Sequence, residues 1–581
     1  MKKNLLLSMA ITLGLTTTVD AQKRYMEEVF TDAQITVRAD IPYGVNINFL
    51  TSNLAGANTT ADIITLQTIA ATGGGAGAYP TKWFYPNNPA TPVGDSTDVK
   101  LVASLMDVYM PDPGVDAMAM RPVIVYAHTG SFLPKAFNGQ ATGNRRDSAA
   151  VELCRQWAKR GYVAISVDYR TGWNPIAADQ DTRTGTLLNA VYRSVHDVKQ
   201  AVRVTKLTVL GGNPFKIDPN KIVVYGQGSG GYTSLAYGSM TKQSELELDK
   251  FLDVNGKSYI DVTKVGGIDG FGGSVNLYQD TFSTQTPAIT SDVQMIVNAG
   301  GALADISWIE AGEPAVVSLH CIRDAYAPFD TGTVIVPTTQ EVVVDVNGPG
   351  TYMSKVNGLG NNDAFIGLWY GDDYTKTARS RYGKTYDYIY AAPKDEITLA
   401  TDINGLFPFD IAKGASPFQN TGAPWEWWNK TDLDAYVAYY NQFGAGLDAD
   451  AIDASSLFSN PNGHDKAHAL AYIDTIQGYM NPRVMRVLEI GDWEALSVNE
   501  VKKTNEIFSV YPNPANTAVT VLSKGGNVNN VIIYDVTGRV VYTQIANVTS
   551  LNVNISSLPK GVYIINVITE NGENVEKLII E

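Results

Sequence analysis

The chain has 581 residues, 44% of them hydrophobic and 18% charged, with 59 acidic against 44 basic side chains for a formal charge of −15. That length allows a large core and more than one domain, and normal apolar content without a three-residue period excludes collagen-like and wholly disordered chains. The acidic balance disfavours nucleic acid and anionic membrane as partners, because phosphate binding depends on clustered Lys and Arg, and two cysteines exclude a disulfide scaffold or a Cys-type zinc module.

At the N-terminus Lys2 and Lys3 precede an apolar run from Leu5 to Leu15 and then Val19-Asp20-Ala21. A basic n-region, a short h-region and small residues at the cleavage site predict a secretory signal over residues 1–21. The run is too short to span a bilayer and no later stretch is long enough, so the mature chain is expected to be exported without a transmembrane segment. Residues 22–100 read as a strand- and loop-rich extension with no assigned role.

From Asp107 apolar runs alternate with helical patterns. Strands are predicted over residues 122–127, 162–168, 221–225 and 315–319, and helices over 148–160 and after the third strand. Leu188, Val191, Val195, Val198 and Val202 recur at three- and four-residue spacing, which marks another amphipathic helix. Buried runs alternating with helices predict an α/β fold with a mostly parallel sheet covered on both faces, whose ligands sit at the C-terminal ends of the strands. The loops at those ends read His128-Thr129-Gly130-Ser131-Phe132, Asp168-Tyr169-Arg170, Gly226-Gln227-Gly228-Ser229-Gly230-Gly231, and His320 to Pro328 with Asp324 inside. Asn462-Gly463-His464-Asp465 precedes a terminal helix carrying Leu470, Ile473 and Met480.

This series resembles the carboxylesterase-like α/β-hydrolases over a domain of residues 101–495, with an insertion at about 331–455. The resemblance implies oxyanion-hole amides at Thr129 and Gly130, a nucleophile in the Gly-x-Ser-x-Gly elbow, and an acid and a histidine following in that order. Asp324 then takes the acid position and His464 the base, with His468, one turn inside the terminal helix, as the alternative. The elbow admits two registers. Without gaps, Gly228 takes the nucleophile seat and Gly226 and Gly230 take the two flanking positions that must be small; Ser229 then lends its N–H to the oxyanion hole. Shifted by one, Ser229 takes the seat and Gln227 falls where a small residue belongs.

Other glycine-rich stretches carry less. Gly73 to Gly77 lacks a preceding strand and a Lys-Ser/Thr, and the mid-chain Gly226-x-Gly228-x-Gly-Gly lacks the acid of a dinucleotide site. The insertion holds the strand-like stretch 341–346 and an aromatic tract: Trp369, Tyr370, Tyr374, Tyr382, Tyr386, Tyr388 and Tyr390, then Trp425, Trp427 and Trp428, then Tyr436, Tyr439, Tyr440 and Phe443. It reads as a packed cap or as a stacking platform for sugar rings or aromatic esters. Asp448, Asp450 and Asp453 lack the pattern of an EF-hand loop and read as a helix cap. Cys154 and Cys321, on different elements, read as separate buried thiols.

After a linker at 496–507 the chain changes character. Tyr511-Pro512-Asn513-Pro514, the turn Tyr534-Asp535-Val536-Thr537-Gly538 and the terminal Lys577-Leu578-Ile579-Ile580 punctuate short alternating strands, predicting a small β-sandwich over 508–581. These motifs resemble the C-terminal sorting domain of type IX secretion substrates. That resemblance implies the type IX machinery as partner, passage through the periplasm and outer membrane, and release or surface attachment.

Two functions follow. As an enzyme the protein would hydrolyse a carboxylic ester of a small molecule or glycan by acyl transfer, without metal or organic cofactor: Ser229 attacks, His464 relays the proton, Asp324 orients the imidazole, and amides near Thr129, Gly130 and Gly230 or Ser229 hold the oxyanion. An exopeptidase would share the fold. As a binding protein, with Gly228 on the seat, it would keep the pocket as a surface glycan-binding or adhesion component.

Overall fold

The structure is a computed structural model that describes residues 24–73, 75–84, 97–336, 341–366, 368, 372–388, 396–496, 508–524, 526–570 and 572–581. The expected signal at 1–21, nearly all of the linker at 496–507, and Trp369, Tyr370 and Tyr390 lie outside the described residues. The chain divides into two compact units, 1–496 and 497–581.

The first unit is built on an eight-stranded sheet of order β1-β2-β4-β3-β5-β6-β7-β8. Its strands are β1 (Ile35–Ile47), β2 (Leu101–Pro111), β3 (Arg121–Ala127), β4 (Val163–Val167), β5 (Ile217–Gln227), β6 (Met295–Ala299), β7 (Ala315–Cys321) and β8 (Leu406–Phe409). β1 pairs antiparallel with β2 and β2 with β4, and from β4 through β8 the pairing is parallel. The stretch read as an N-terminal extension therefore supplies the first strand of the sheet.

Strands β3, β4, β6 and β7 are buried almost throughout, as parallel strands covered on both faces must be. Their two-residue alternation divides them between two cores. Val123, Val125, Ile165 and Val224 pack with helices α2 (Gln180–Leu207) and α3 (Ser229–Ser239). Ile124, Tyr126, Ala164 and Tyr225 pack instead with α1 (Ser148–Lys159) and the terminal α6 (Lys466–Leu488). Between β8 and α6 lie two more helices, α4 (Lys430–Asn441) and α5 (Ala449–Ser459). The strand-like stretch of the insertion is the second arm of a hairpin, Thr331–Ile335 with Val342–Asn347, whose Val343, Val344 and Val346 join the first core. Cys154 and Cys321 are buried free thiols.

The second unit sets a three-stranded against a four-stranded antiparallel sheet around one core, with Val519, Val521 and Val553 from one and Val531, Ile533, Ile565 and Val567 from the other. Asn513 of the Tyr-Pro-Asn-Pro motif donates to the Lys577 carbonyl at 2.6 Å and accepts from the Ile579 N–H at 2.9 Å, tying the first strand to the last. Asp535 accepts the N–H groups of Thr537 and Arg539, which closes the hairpin turn at Gly538 (φ +81°).

Candidate functional site

Strand β5 ends at Gln227 and α3 begins at Ser229; the residue between them, Gly228, has φ +55° and ψ −116°. That backbone region is open to glycine and strained for other residues. Strand and helix close tightly on the flanking positions. A Cβ on Gly226 would lie 1.8 Å from the Gly230 carbonyl oxygen, and one on Gly230 would lie 2.1 Å from the Ala127 carbonyl oxygen. Gly231 is crowded as well, a Cβ there falling 2.4 Å from Asn298 Oδ1, and the residue that turns the chain from strand to helix at positive φ is Gly228, the tip of the elbow. A Cβ on Gly228 would stand 2.2 Å from Thr129 Oγ1, so the threonine hydroxyl occupies the space where a side chain at the tip would begin.

Ser229 is the first residue of α3 and is buried. Its hydroxyl lies 2.9 Å from the Tyr169 hydroxyl, and that phenol donates to the His128 carbonyl at 2.7 Å. Ser229 is thereby the donor to Tyr169, whose ring stacks on His128. The N–H of Ser229 is one of the first amides of a helix, which have no intrahelical acceptor. The neighbouring amide of Gly230 is committed to the His128 carbonyl at 3.1 Å. The loop after β3 is held by the His128 ring on the Thr129 carbonyl. Ser131 and Phe132 there take φ +55°, and Gly130 at φ +130° passes so close to Gly143 that a Cβ would meet its Cα at 2.9 Å.

Asp324 lies just beyond β7. Its Oδ1 accepts the N–H groups of Tyr326 at 2.7 Å and Ala327 at 3.1 Å. Burial pushes its carboxyl up to about 7, against the pull of those two amides. Gly422, in the segment after β8, lies against the carboxyl group, where a Cβ would come within 2.6 Å of Oδ2 and 2.7 Å of Oδ1.

None of the five imidazoles hydrogen-bonds to Ser229 or Asp324. His128 binds the Thr129 carbonyl, and the buried His196 packs edge-on against Tyr192. His320 Nε2 is 3.1 Å from the Ala327 carbonyl and 3.9 Å from Asp324 Oδ2, and burial lowers this imidazole to about 4. His464 pairs with Asp453 on α5 at 2.9 Å, edge-on to Trp428, whose indole N–H donates to the same carboxylate oxygen at 2.7 Å. His468 lies 3.3 Å from Asn462 and packs on Tyr472. Thus Ser229, Asp324 and His464 are not joined to one another. The loop before α6 does return to the pocket through Asn460, but the His464 imidazole is taken up by Asp453 and the Trp428 ring.

Beside the elbow opens a pocket of about 480 Å³, lined by Thr129, Gly130, Gly228, Ser229, Asp324, Gly422, Trp425 and Glu426 at one end. Glu426 accepts from Gln227 at 2.5 Å and Thr142 at 3.0 Å; burial and the nearby Asp147 raise its carboxyl to about 7. The loops beside the elbow add polar side chains, among them Asn138, Gln140, Thr142, Ser459 and Asn460, whereas the lining from α2, α3 and the 331–347 hairpin is mostly apolar. Among the described aromatic residues of the insertion tract, only Trp425 lines it. Tyr382 instead donates to the Leu406 carbonyl, Tyr388 is buried, and Tyr436, Tyr439, Tyr440 and Phe443 stack on one another. Asp448 caps α5 through the N–H groups of Asp450 and Ala451.

Sequence reasoning gave no role to Tyr169, Gly422 or Glu426. Tyr169 stood in a recognised strand-end loop, which was the available signal. Gly422 and Glu426 follow a four-residue strand that has no periodicity to mark it.

Residues 106–336 match the family described as BD-FAE, and residues 509–581 match the secretion system C-terminal sorting domain. No curated protein shows significant similarity to the chain. Among solved structures, esterase 2 of Thermogutta terrifontis phosphorylated by paraoxon is similar at 18% identity over 39% of this chain and 69% of that one, with a TM-score of 0.24. The propionate-bound form of that thermophilic esterase is similar at 18% identity over 39% and 70%, with a TM-score of 0.23. This chain thus carries an esterase-like α/β-hydrolase domain and a C-terminal sorting domain for type IX export. No helix among the described residues is long and apolar enough to cross a membrane.

Proposed function

We propose that this exported protein uses its α/β-hydrolase scaffold to bind an apolar small molecule beside Gly228, and that it does not transfer acyl groups through Ser229, His464 and Asp324. The observation that carries this reading is the elbow itself: its tip is a glycine at φ +55°, and Thr129 Oγ1 stands 2.2 Å from where a tip side chain would begin. A hydroxyl nucleophile is weak until a base within hydrogen-bond reach takes its proton. Ser229 has a phenol there, already donating elsewhere, and the imidazole expected to serve it is paired with Asp453. What survives of the esterase plan is the part that binds: the Ser229 amide, the loop at Thr129 and Gly130, and the pocket. Losing a triad nucleophile removes on the order of 10⁶ in rate and leaves the about 10³ to 10⁴ that binding and oxyanion contacts supply.

Fluorophosphonate labelling of the purified mature protein, mapped by mass spectrometry, tests this. No adduct is expected on Ser229 under conditions that label a control esterase fully. A stoichiometric Ser229 adduct that disappears in His464→Ala would overturn the binding reading and restore the ester hydrolase.

A further inference from the structure

The pocket has a direction. Ser229, Tyr232, Ala236 and Met240 all line it, at spacings of three, four and four residues along α3 and the residue after it. At 1.5 Å per residue such a stripe runs about 16 Å from the helix N-terminus. Leu188, Val191 and Val195 form the matching stripe on α2. The cavity is therefore a trough between two helices, closed further along by Phe251, Trp308 and Val344. Among the described residues lining this far part there is no charged side chain. At the near end the polar groups converge. The Ser229 N–H and the Thr129 hydroxyl stand beside Gly228.

On the reading that the pocket binds rather than hydrolyses, we propose that its occupant is a single long acyl chain, with its carbonyl end beside Thr129 and Ser229 and its hydrocarbon along the α2–α3 trough. A narrow apolar trough with donors at one end suits an unbranched chain with one acceptor head. The pocket's polar side chains, among them Asn138, Gln140, Thr142 and Asn460, belong to the loops beside the elbow, and the α2–α3 trough itself offers few of the partners that a sugar's hydroxyl groups would require when buried. A free fatty acid and an uncharged acyl ester share this chemistry.

The test is calorimetric titration of delipidated, full-length mature protein with hexadecanoate and, separately, with methyl hexadecanoate, butyrate, ferulate and maltohexaose. At least one of the two long-chain probes is expected to bind one to one, and at least tenfold more tightly than butyrate, ferulate or maltohexaose. If both long probes bind, the head site takes a carbonyl of either source; if one binds, it identifies the source. Ala236→Phe, which narrows the trough, should weaken long-chain binding at least tenfold. Thermal melts check that this variant is folded. Preference for ferulate or maltohexaose, or no long-chain binding by the folded parent, would overturn the ligand class. That failure is separate from failure of the functional reading, which only a Ser229 fluorophosphonate adduct would signal.

Discussion

Thr129 and Gly228 share one small volume, and each explains the other. A serine at 228 would bring its Cβ to 2.2 Å from Thr129 Oγ1 and would have to hold φ +55°. Strain of this kind costs about 1–3 kcal/mol, and overpacking adds a similar amount. Gly228→Ser is therefore expected to lower stability by about 2–6 kcal/mol in urea unfolding without creating ester turnover, and Thr129→Gly should recover part of the loss. A Gly228→Ser variant as stable as the parent would mean that the loop at Thr129 yields easily. The two buried carboxyls make a second prediction. Asp324 and Glu426 titrate near 7 in the fold, against about 4 when unfolded. Between those values the folded state holds more protons, so their contribution to stability falls as pH rises from about 4 to about 7 and is flat above. His320, lowered to about 4 by burial, acts with the opposite sign between about 4 and 6.5. The parent-minus-variant difference isolates the acid: Asp324→Asn should flatten the loss of stability between pH 5 and pH 8, read from urea midpoints at each pH. An unchanged pH slope would show that Asp324 ionises normally.

At the scale of elements, long periodic patterns were legible and short ones were not. Strands β3, β4, β5 and β7 announced themselves as apolar runs, and α2 by its three-and-four spacing. Strand β6 is only Met295-Ile296-Val297-Asn298-Ala299, and β8 is four residues with Pro408 inside. Proline is confined to edge or first positions because it cannot donate to a ladder, and β8 is the sheet's edge strand. With β8 hidden inside the expected insertion, the segment facing Asp324 could not be located. The loop before the last helix stood in for it, and His464 was chosen on that basis. The elbow's register was open for a different reason. Whether Gly226 or Gln227 sits at the crowded position depends on the approach of α3 to β3 and β5, and residue types alone do not encode that distance. The same closeness predicts that Gly226→Ala, whose Cβ would meet the Gly230 oxygen at 1.8 Å, costs about 1–3 kcal/mol or more. Ser229→Ala, by contrast, loses one hydroxyl contact to Tyr169 and should cost about 0.5–1.5 kcal/mol. Thermal melts of the two variants should rank in that order; equal costs would argue against Gly228 as the tip.

At the scale of the molecule the two units have separate cores. Phe508, Val519, Val531, Ile565 and Leu578 pack among themselves, and none of the core clusters mixes residues from 24–496 with residues from 508–581. A unit of about 70 residues buries a smaller fraction of its surface than one several times larger and is correspondingly marginal. The sorting unit is thus expected to melt first in calorimetry of the mature chain. Truncation after Leu496 should delete that lower transition and leave the upper one, and the binding of the pocket's ligand, unchanged. Because the C-terminal unit is the sorting domain, the same truncation in a host with type IX secretion should hold the chain on the inner side of the outer membrane. A truncated chain that melts at a lower temperature, or that still reaches the medium, would mean that the second unit supports the first or that export is directed from elsewhere in the chain. A pocket lined from Thr129 to Asn460 and a sorting domain over residues 509–581 depend on no common residue, so one can be lost while the other persists.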